Sequence, residues 1–145
     1  MSQNVILKST LEGHTSLVLS VAFNSIGTIL ATGSWDNTAK LWRFSPDGSA
    51  AICVATLAWH RTNVNSLSGH RKNVTSVAFH QTLPILATGS GDSTAKLWRL
   101  SPDGSTATCV ATLAGHSSSV WSVAFHPTAP LLATGSCDKT AKLWR

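Results

Sequence analysis

Charged residues are scarce in this chain of 145 residues. Asp, Glu, Lys and Arg make up only 12% of the sequence, against a usual share of about 25%, and 43% of it is hydrophobic. Such an apolar chain is not intrinsically disordered, and its length predicts one domain, residues 1–145. No apolar run approaches the ~20 residues of a membrane span, and the first ten residues lack the features of a secretory signal. The sequence therefore predicts an intracellular, cytoplasmic protein without membrane contact.

Cysteine and acidic residues are also few. The three cysteines, Cys53, Cys109 and Cys137, are an odd set and too sparse for a disulfide scaffold, so they indicate free thiols in a reducing compartment. Six acidic residues against eleven basic ones give a formal charge of +5. This excess permits contact with nucleic acid or another polyanion, but it is too mild to establish one.

The sequence contains three copies of one unit. The copies run from Gly13 to Arg43, from Gly69 to Arg99 and from Gly115 to Arg145. Each begins with Gly-His and ends with Lys-Leu-Trp-Arg, and the connector Ser-Pro-Asp-Gly-Ser follows the first two copies. Within each copy, short β-rich apolar segments alternate with turn residues, and no segment has helical periodicity. The sequence therefore predicts an all-β fold with four short strands per unit.

The pattern of each unit resembles the WD-repeat β-propeller family. Gly-His, then about 20 residues, then Ser-x-Asp-x-Thr-x-Lys-Leu-Trp is typical of that family and occurs three times. The family's usual closing Trp-Asp is Trp-Arg here, as at Trp42-Arg43. The resemblance implies a β-propeller of four-stranded antiparallel blades, three blades per chain. It also implies a non-catalytic scaffold for protein or peptide interaction, without a cofactor.

The resemblance also divides the single domain into segments. These are a blade-closing strand 5–11, repeat one 13–58, a duplicated loop 59–68, repeat two 69–114 and repeat three 115–145. The loop aligns with the ten residues that follow it at His, Arg, Asn, Val and Ser, which indicates a tandem duplication. We expect the second copy to form the strand and the first to bulge from the rim. The alternative is a neutral, expanded loop.

Three blades are too few for a closed ring, which generally needs about four to eight. The outer faces of the first and last blades would remain exposed, as apolar patches of the size that marks an interface. The last unit stops after a third strand, and residues 5–11 match the fourth strand of the other units. We therefore expect closure by oligomerisation with exchange of the N-terminal strand.

The number of chains in this assembly stays open. Two chains would give six blades of about 60° each and three would give nine of about 40°, against about 51° in the common seven-bladed ring. The sequence predicts a homodimer of six blades, with a homotrimer of nine as the alternative. It also permits the chain to be a fragment of a longer propeller.

A histidine, a serine and an aspartate recur in every unit and could be taken for a hydrolase triad. The sets are His14, Ser34 and Asp36; His70, Ser90 and Asp92; and His116, Ser136 and Asp138. A triad needs an exposed nucleophile beside an oxyanion site, whereas these sets recur in every unit with a tryptophan six residues after the aspartate. Those tryptophans are Trp42, Trp98 and Trp144.

The resemblance implies that these residues form a buried hydrogen-bond network that holds each blade together. Whether Ser34 or Thr32 supplies the hydroxyl in the first unit stays open.

Metal binding and other catalysis have little support in the sequence. Cys53 and Cys109 each precede a histidine by seven residues. In an extended strand that spacing is about 23 Å, too far for one zinc shell with bonds of about 2 Å. A Gly-rich phosphate loop and paired carboxylates are also missing. The sequence therefore predicts no enzyme activity, no metal and no cofactor.

Positions that differ between the nearly identical units are not dictated by the blade itself. They are Leu17, Leu19, Trp35, Asn73, Thr75, Gly91, Ser119, Trp121 and Cys137, together with Trp59 and Arg61 of the duplicated loop. The resemblance implies that these residues surface on the rim around the central channel, where partners of propellers bind. Exposed tryptophan is enriched at binding hot spots, so we expect an unknown protein or peptide partner there. The alternatives are ordinary surface variation and an electrostatic binder of nucleic acid or another polyanion.

Overall fold

The structure is a computed structural model that describes residues 5–58, 60–63, 66–68, 70 and 72–145, with segments 60–63 and 66–68 described by their backbone alone. The described residues form thirteen strands and no helix. In chain order the strands are β1 (Val18–Phe23), β2 (Ile29–Ser34), β3 (Ala39–Phe44), β4 (Ala51–Leu57), β5 (His60–Asn63), β6 (Ser66–Ser68), β7 (Val74–Phe79), β8 (Ile85–Ser90), β9 (Thr94–Leu100), β10 (Ala107–Ala114), β11 (Val120–Phe125), β12 (Leu132–Ser136) and β13 (Ala141–Trp144). In this part of the chain, no helix is long and apolar enough to cross a membrane. The all-β prediction is confirmed.

The strands form three antiparallel blades and one hairpin. Blade one has the order β1-β2-β3-β4, blade two the order β10-β9-β8-β7, and blade three the order β11-β12-β13. In the described part of the duplicated segment, β5 and β6 form a separate two-stranded sheet. The first strand of each blade contacts the first strand of the next, β1 against β7 and β7 against β11. The blades therefore follow one another side by side along the chain.

The first strand of every blade carries a β-bulge at its second residue, which is Leu19, Thr75 or Trp121. In a regular strand, two residues that are three positions apart point to opposite faces. The bulge adds one residue to one strand and thereby places Val18 and Val21 on the same face. Each first strand can therefore present two valines to a neighbouring blade.

The core lies between the blades. One apolar cluster joins blades one and two, and includes Leu41 of β3 together with Val74 and Val77 of β7. A second cluster joins blades two and three, and includes Val120 and Val123 of β11. Each blade is thus stabilised mainly by the apolar face of its neighbour.

The N-terminal segment lies outside the strands. Residues 5–14 form no strand, and Ser9 Oγ donates a hydrogen bond of 2.8 Å to the carbonyl oxygen of Gly48, in the turn between β3 and β4. The expected strand at 5–11 concerns pairing with a second chain, which a single chain does not test. It stays a prediction.

Candidate functional site

A buried chain of hydrogen bonds connects four side chains of blade one. Trp42 Nε1 on β3 donates to Thr32 Oγ1 on β2 over 2.9 Å. Thr32 Oγ1 lies 2.7 Å from His14 Nε2, and His14 Nδ1 lies 2.7 Å from Asp36 Oδ2. Because an ionised carboxylate can only accept, His14 Nδ1 donates to Asp36 and Nε2 accepts from the threonine hydroxyl. These hydrogen bonds connect the segment before β1 with β2, with the turn after β2 and with β3.

The same series of hydrogen bonds recurs in the other two blades. Its members are Trp98, Thr88, His70 and Asp92 in blade two, and Trp144, Thr134, His116 and Asp138 in blade three. The tryptophan-to-threonine distance is 2.9 Å in every blade. The network is therefore part of the repeating architecture.

The recurring serine has a role different from that of the threonine. Ser34 Oγ donates to the carbonyl oxygen of Ser16 over 3.4 Å and accepts from the backbone N–H of Asp36 over 3.0 Å. Ser90 and Ser136 make the equivalent contacts. In each blade the histidine contacts the threonine and the aspartate, and the serine holds the turn between the second and third strands. The hydroxyl between histidine and tryptophan belongs to the threonine.

The electrostatics of the network suit a structural role. Burial raises the pKa of the Asp36 carboxyl, but hydrogen bonds from Thr38 and His14 outweigh it and hold that pKa at about 2. In blade three, the hydrogen bond from Thr140 is the main cause that lowers the pKa of Asp138, against the opposing effect of burial. These carboxylates stay ionised at neutral pH and serve as hydrogen-bond acceptors, so they are unsuited to general acid catalysis.

The thiols are free and dispersed. Cys53 and Cys137 are exposed, and Cys109 is half-buried. Among the described residues, no group of three or more His, Cys, Asp or Glu side chains could hold a metal ion. The side chain of His60, which follows Cys53 in the metal hypothesis, lies outside the described residues.

One surface position recurs in every blade and carries a different residue pair each time. The pairs are Leu17 with Trp35, Asn73 with Gly91 and Ser119 with Cys137, joined by backbone hydrogen bonds of 2.9, 3.0 and 2.9 Å. In blade one both side chains are large, apolar and exposed. In blade three the exposed Trp121 donates from Nε1 to Cys137 Sγ. We call the three pairs Leu17–Trp35, Asn73–Gly91 and Ser119–Cys137 the rim pairs.

The bulge residue beside each rim pair differs in its exposure. Leu19 and Trp121 are exposed. Thr75 is buried, and its hydroxyl donates to the carbonyl oxygen of Val120 in the next blade. Thr75 therefore lies at the junction between blades and not on the exposed rim, where the sequence analysis had placed it. Trp59 and the side chain of Arg61 lie outside the described residues.

Two of the recurring lysines are engaged within their blades. Lys40 Nζ donates to Thr56 Oγ1 over 2.9 Å, and Lys96 Nζ donates to Thr112 Oγ1 over 2.8 Å. Lys96 is also buried. These contacts bridge the third and fourth strands and use one N–H donor of each ammonium group.

The three blades and their repeated hydrogen-bond chains define a segment of a WD-type propeller. The sequence matches the family described as "WD domain, G-beta repeat" over residues 6–43, 61–99 and 107–145. The chain therefore belongs to the WD40 family, and the resemblance inferred from its motifs is confirmed.

The chain is similar to several proteins, two of which are named as subunits. "THO complex subunit 3" of Arabidopsis thaliana is 38% identical over 87 residues, which cover 60% of this chain and 25% of that protein. "Coatomer subunit beta'-2" of the same plant is 38% identical over 101 residues, 68% of this chain and 9% of the relative. "Probable cytosolic iron-sulfur protein assembly protein 1" of Chaetomium globosum is 32% identical over 112 residues, 70% of this chain and 25% of the relative.

The chain thus spans a quarter or less of the length of these relatives. WD-repeat relatives are generally non-catalytic scaffold proteins, and family membership supports a general role of this kind.

Proposed function

We propose that this chain is a non-catalytic, intracellular scaffold that binds a protein or peptide through its rim pairs. The observation that carries the proposal is the exposed apolar pair Leu17 and Trp35 in blade one, at the position that changes from blade to blade. A blade needs no particular residue there, as the Asn73–Gly91 pair of blade two demonstrates. Large apolar side chains that the fold does not require are suited to a partner.

A polyanion is the weaker candidate for the partner. Lys40 and Lys96 are hydrogen-bonded inside their blades, and the exposed rim residues of blades one and three are apolar. An apolar contact depends little on salt, whereas a phosphate binder loses orders of magnitude in affinity between 50 and 200 mM salt. Salt dependence therefore separates the two candidates.

Random-peptide display on the full chain tests the rim. Peptides that the chain enriches are titrated against the wild-type protein and against Trp35→Ala, at 50 and 200 mM salt. We expect Trp35→Ala to weaken binding at least fivefold, about 1 kcal/mol, with little dependence on salt. A 20-nucleotide single-stranded DNA serves as the polyanion probe.

Ile52→Ala is the matched control, because Ile52 is an exposed apolar residue on the fourth strand of the same blade. It should leave peptide affinity unchanged. Failure to enrich any peptide, equal affinity of Trp35→Ala, or strong salt-dependent binding of the DNA would each contradict the proposed rim.

We also infer that the chain closes its ring with further copies of itself by exchange of the N-terminal strand. In blades one and two the third and fourth strands pair Lys40 with Thr56 and Lys96 with Thr112. Blade three has three strands among the described residues. Aligned on β10, the segment 5–11 of another copy would place Thr10 opposite Lys142, the same pairing.

The area favours a dimer of six blades over a trimer of nine. A face of four strands of about five residues each covers about 300 Å², so a junction of two faces removes about 600 Å² from water. Two chains in a closed ring share two junctions, about 1,200 Å², the lower end of specific interfaces. Neighbouring chains of a trimer share only one.

Deletion of residues 1–11 tests the strand exchange. We expect the shortened chain to be monomeric or aggregated, because the last strand of blade three keeps an unpaired edge. Thr10→Ala is the milder variant and should weaken association without unfolding the chain. Assembly of the shortened chain identical to that of the full chain would contradict strand exchange.

A further inference from the structure

The junction between blades is built on a glycine and two valines, and it occurs twice. A Cβ atom at Gly33 would lie 2.9 Å from Val74 Cγ1 and 3.2 Å from Val77 Cγ1. A Cβ atom at Gly89 would lie 2.9 Å from Val120 Cγ1 and 3.2 Å from Val123 Cγ1. These approaches are too close for a side chain, so glycine at this position is what lets the next blade's valines reach the sheet.

Blade three carries the same glycine and blade one carries the same two valines, but among the described residues no neighbouring blade packs against them. Around Gly135 of blade three, nothing among the described residues lies within 4 Å of the Cβ position. Val18 and Val21 of blade one are 50% and 62% exposed, whereas their equivalents Val74 and Val77 are 1% and 5% exposed. One end thus presents an open glycine site and the other presents the valines that fill such a site.

A polar contact repeats in the same register. The backbone N–H of Val77 donates to Ser20 Oγ in the preceding blade over 3.2 Å. The backbone N–H of Val123 donates to Ser76 Oγ, also over 3.2 Å. The third serine of this series, Ser122, is exposed on blade three. A blade that docked there in the same register would direct the N–H of Val21 at Ser122.

The open faces are apolar well beyond the glycine. Leu143 on β13 is 72% exposed, and its equivalent Leu41 in blade one is fully buried by blade two. Phe23 on β1 is also largely exposed. Exposed apolar surface of this extent marks an interaction site. The two faces carry the same residues that pack against each other at the two junctions within the chain.

We propose that the open face of blade three is the docking site for blade one of a second copy of this chain. Val18 and Val21 of one copy pack over Gly135 of the other, and the Val21 N–H donates to Ser122. The contact is head-to-tail, so it joins two different surfaces and recurs at every junction of a closed ring. The proposal deepens the assembly proposed above and is independent of any partner at the rim pairs.

Two substitutions block the junction from opposite sides without touching the interior of a single chain. Val21→Asp places a charge on the exposed face of blade one. Gly135→Val places a branched side chain at the open site of blade three, where nothing among the described residues lies within 4 Å of the Cβ position. We expect each variant to raise the dissociation constant of self-association at least about a hundredfold, because the charge would be buried unpaired and the added methyl groups would collide with the docked valines.

Val110→Asp is the matched control, since Val110 is an exposed valine on the fourth strand of blade two. It should associate like the wild-type chain. Circular dichroism and thermal unfolding verify that all three variants retain the fold.

Mixing the two blocked variants tests whether the junction is head-to-tail. Each alone should sediment as a monomer of 15.3 kDa. An equimolar mixture should associate more strongly than either variant alone, because the valines of the Gly135→Val chain can still dock on Gly135 of the Val21→Asp chain through one intact junction. Such complementation occurs only for a head-to-tail junction.

Three results would overturn the proposal. A wild-type chain that stays monomeric up to 100 µM would mean that the faces take another occupant, such as further blades of a longer chain. Association of Val21→Asp equal to that of Val110→Asp would place the interface elsewhere. A mixture that associates no more strongly than either variant alone would exclude the head-to-tail arrangement.

Discussion

Blade one and blade two carry nearly the same first strand, yet its valines have opposite environments. Val77 in β7 is buried against blade one, and Val21, at the same position in β1, is open to solvent. The local sequence is Ser-Val-Ala-Phe in both strands. The residues of a blade therefore determine which face is able to pack, and the presence of a neighbouring blade determines whether that face is buried. The stability of such a repeat depends largely on its junctions.

The largest expected effect comes from placing the same charge on each of these two valines. In the monomeric Gly135→Val background, Val77→Asp should lower the free energy of unfolding by about 4 kcal/mol or more, because the carboxylate would be buried without a partner. Val21→Asp should change it by less than about 0.5 kcal/mol. Urea denaturation measures both, and equal losses would show that the two environments do not differ as described.

An intermediate effect distinguishes the two recurring hydroxyls of blade two. Thr88→Val removes the group that lies between His70 and Trp98, so two buried polar groups lose a partner. We expect a loss of about 2–3 kcal/mol for Thr88→Val and about 1 kcal/mol for Ser90→Ala. Thermal unfolding measures both losses. The reverse order would assign the central hydroxyl to the serine.

A third expected effect is the response to acid, which acts on hydrogen-bonded aspartates and not on the apolar junctions. The pKa of Asp36 is about 2 in the folded chain and 3.8 for an unperturbed aspartate, and the pKa of Asp138 is also lowered. A lowered pKa stabilises the fold fully above about pH 4, and this stabilisation is lost as the pH falls towards 2.

Unfolding by urea at pH 2, 3, 4 and 5 measures this response. Asp36→Asn should make the dependence shallower, because Asp138 and the turn aspartates Asp47 and Asp103 keep their lowered pKa. Ser117→Ala should leave the dependence unchanged, because it keeps the backbone N–H that donates to Asp138. Stability that stays constant from pH 5 to pH 2 in the intact chain would contradict the shifted pKa values.

The repeat pattern was sufficient to predict the strands of the blades, and it singled out the histidine, aspartate and tryptophan of each hydrogen-bond network. It could not separate Thr32 from Ser34, because alternate residues of a strand share a face and both recur in every unit. The threonine inside the turn, Thr38, was missed as a partner of Asp36, although its recurrence at the same position in every unit was an available signal.

Burial at the variable positions depended on the neighbouring blade. Thr75 stands among exposed positions in the repeat alignment, but a backbone carbonyl of the next blade accepts its hydroxyl and covers it. Val18 and Val21 are exposed because they lie on the outer face of blade one, the face that the count of three blades leaves without a neighbour. These differences arise from contacts between units, which no single unit encodes.

The mass of the intact chain in solution tests most directly whether the open face of blade one packs against the open face of blade three in another copy. Sedimentation equilibrium between 1 and 100 µM should give about 31 kDa, twice the chain mass of 15.3 kDa, and a mass near 46 kDa would select the nine-bladed trimer with the same junctions. A soluble species that remains at 15.3 kDa over the whole range would contradict the account.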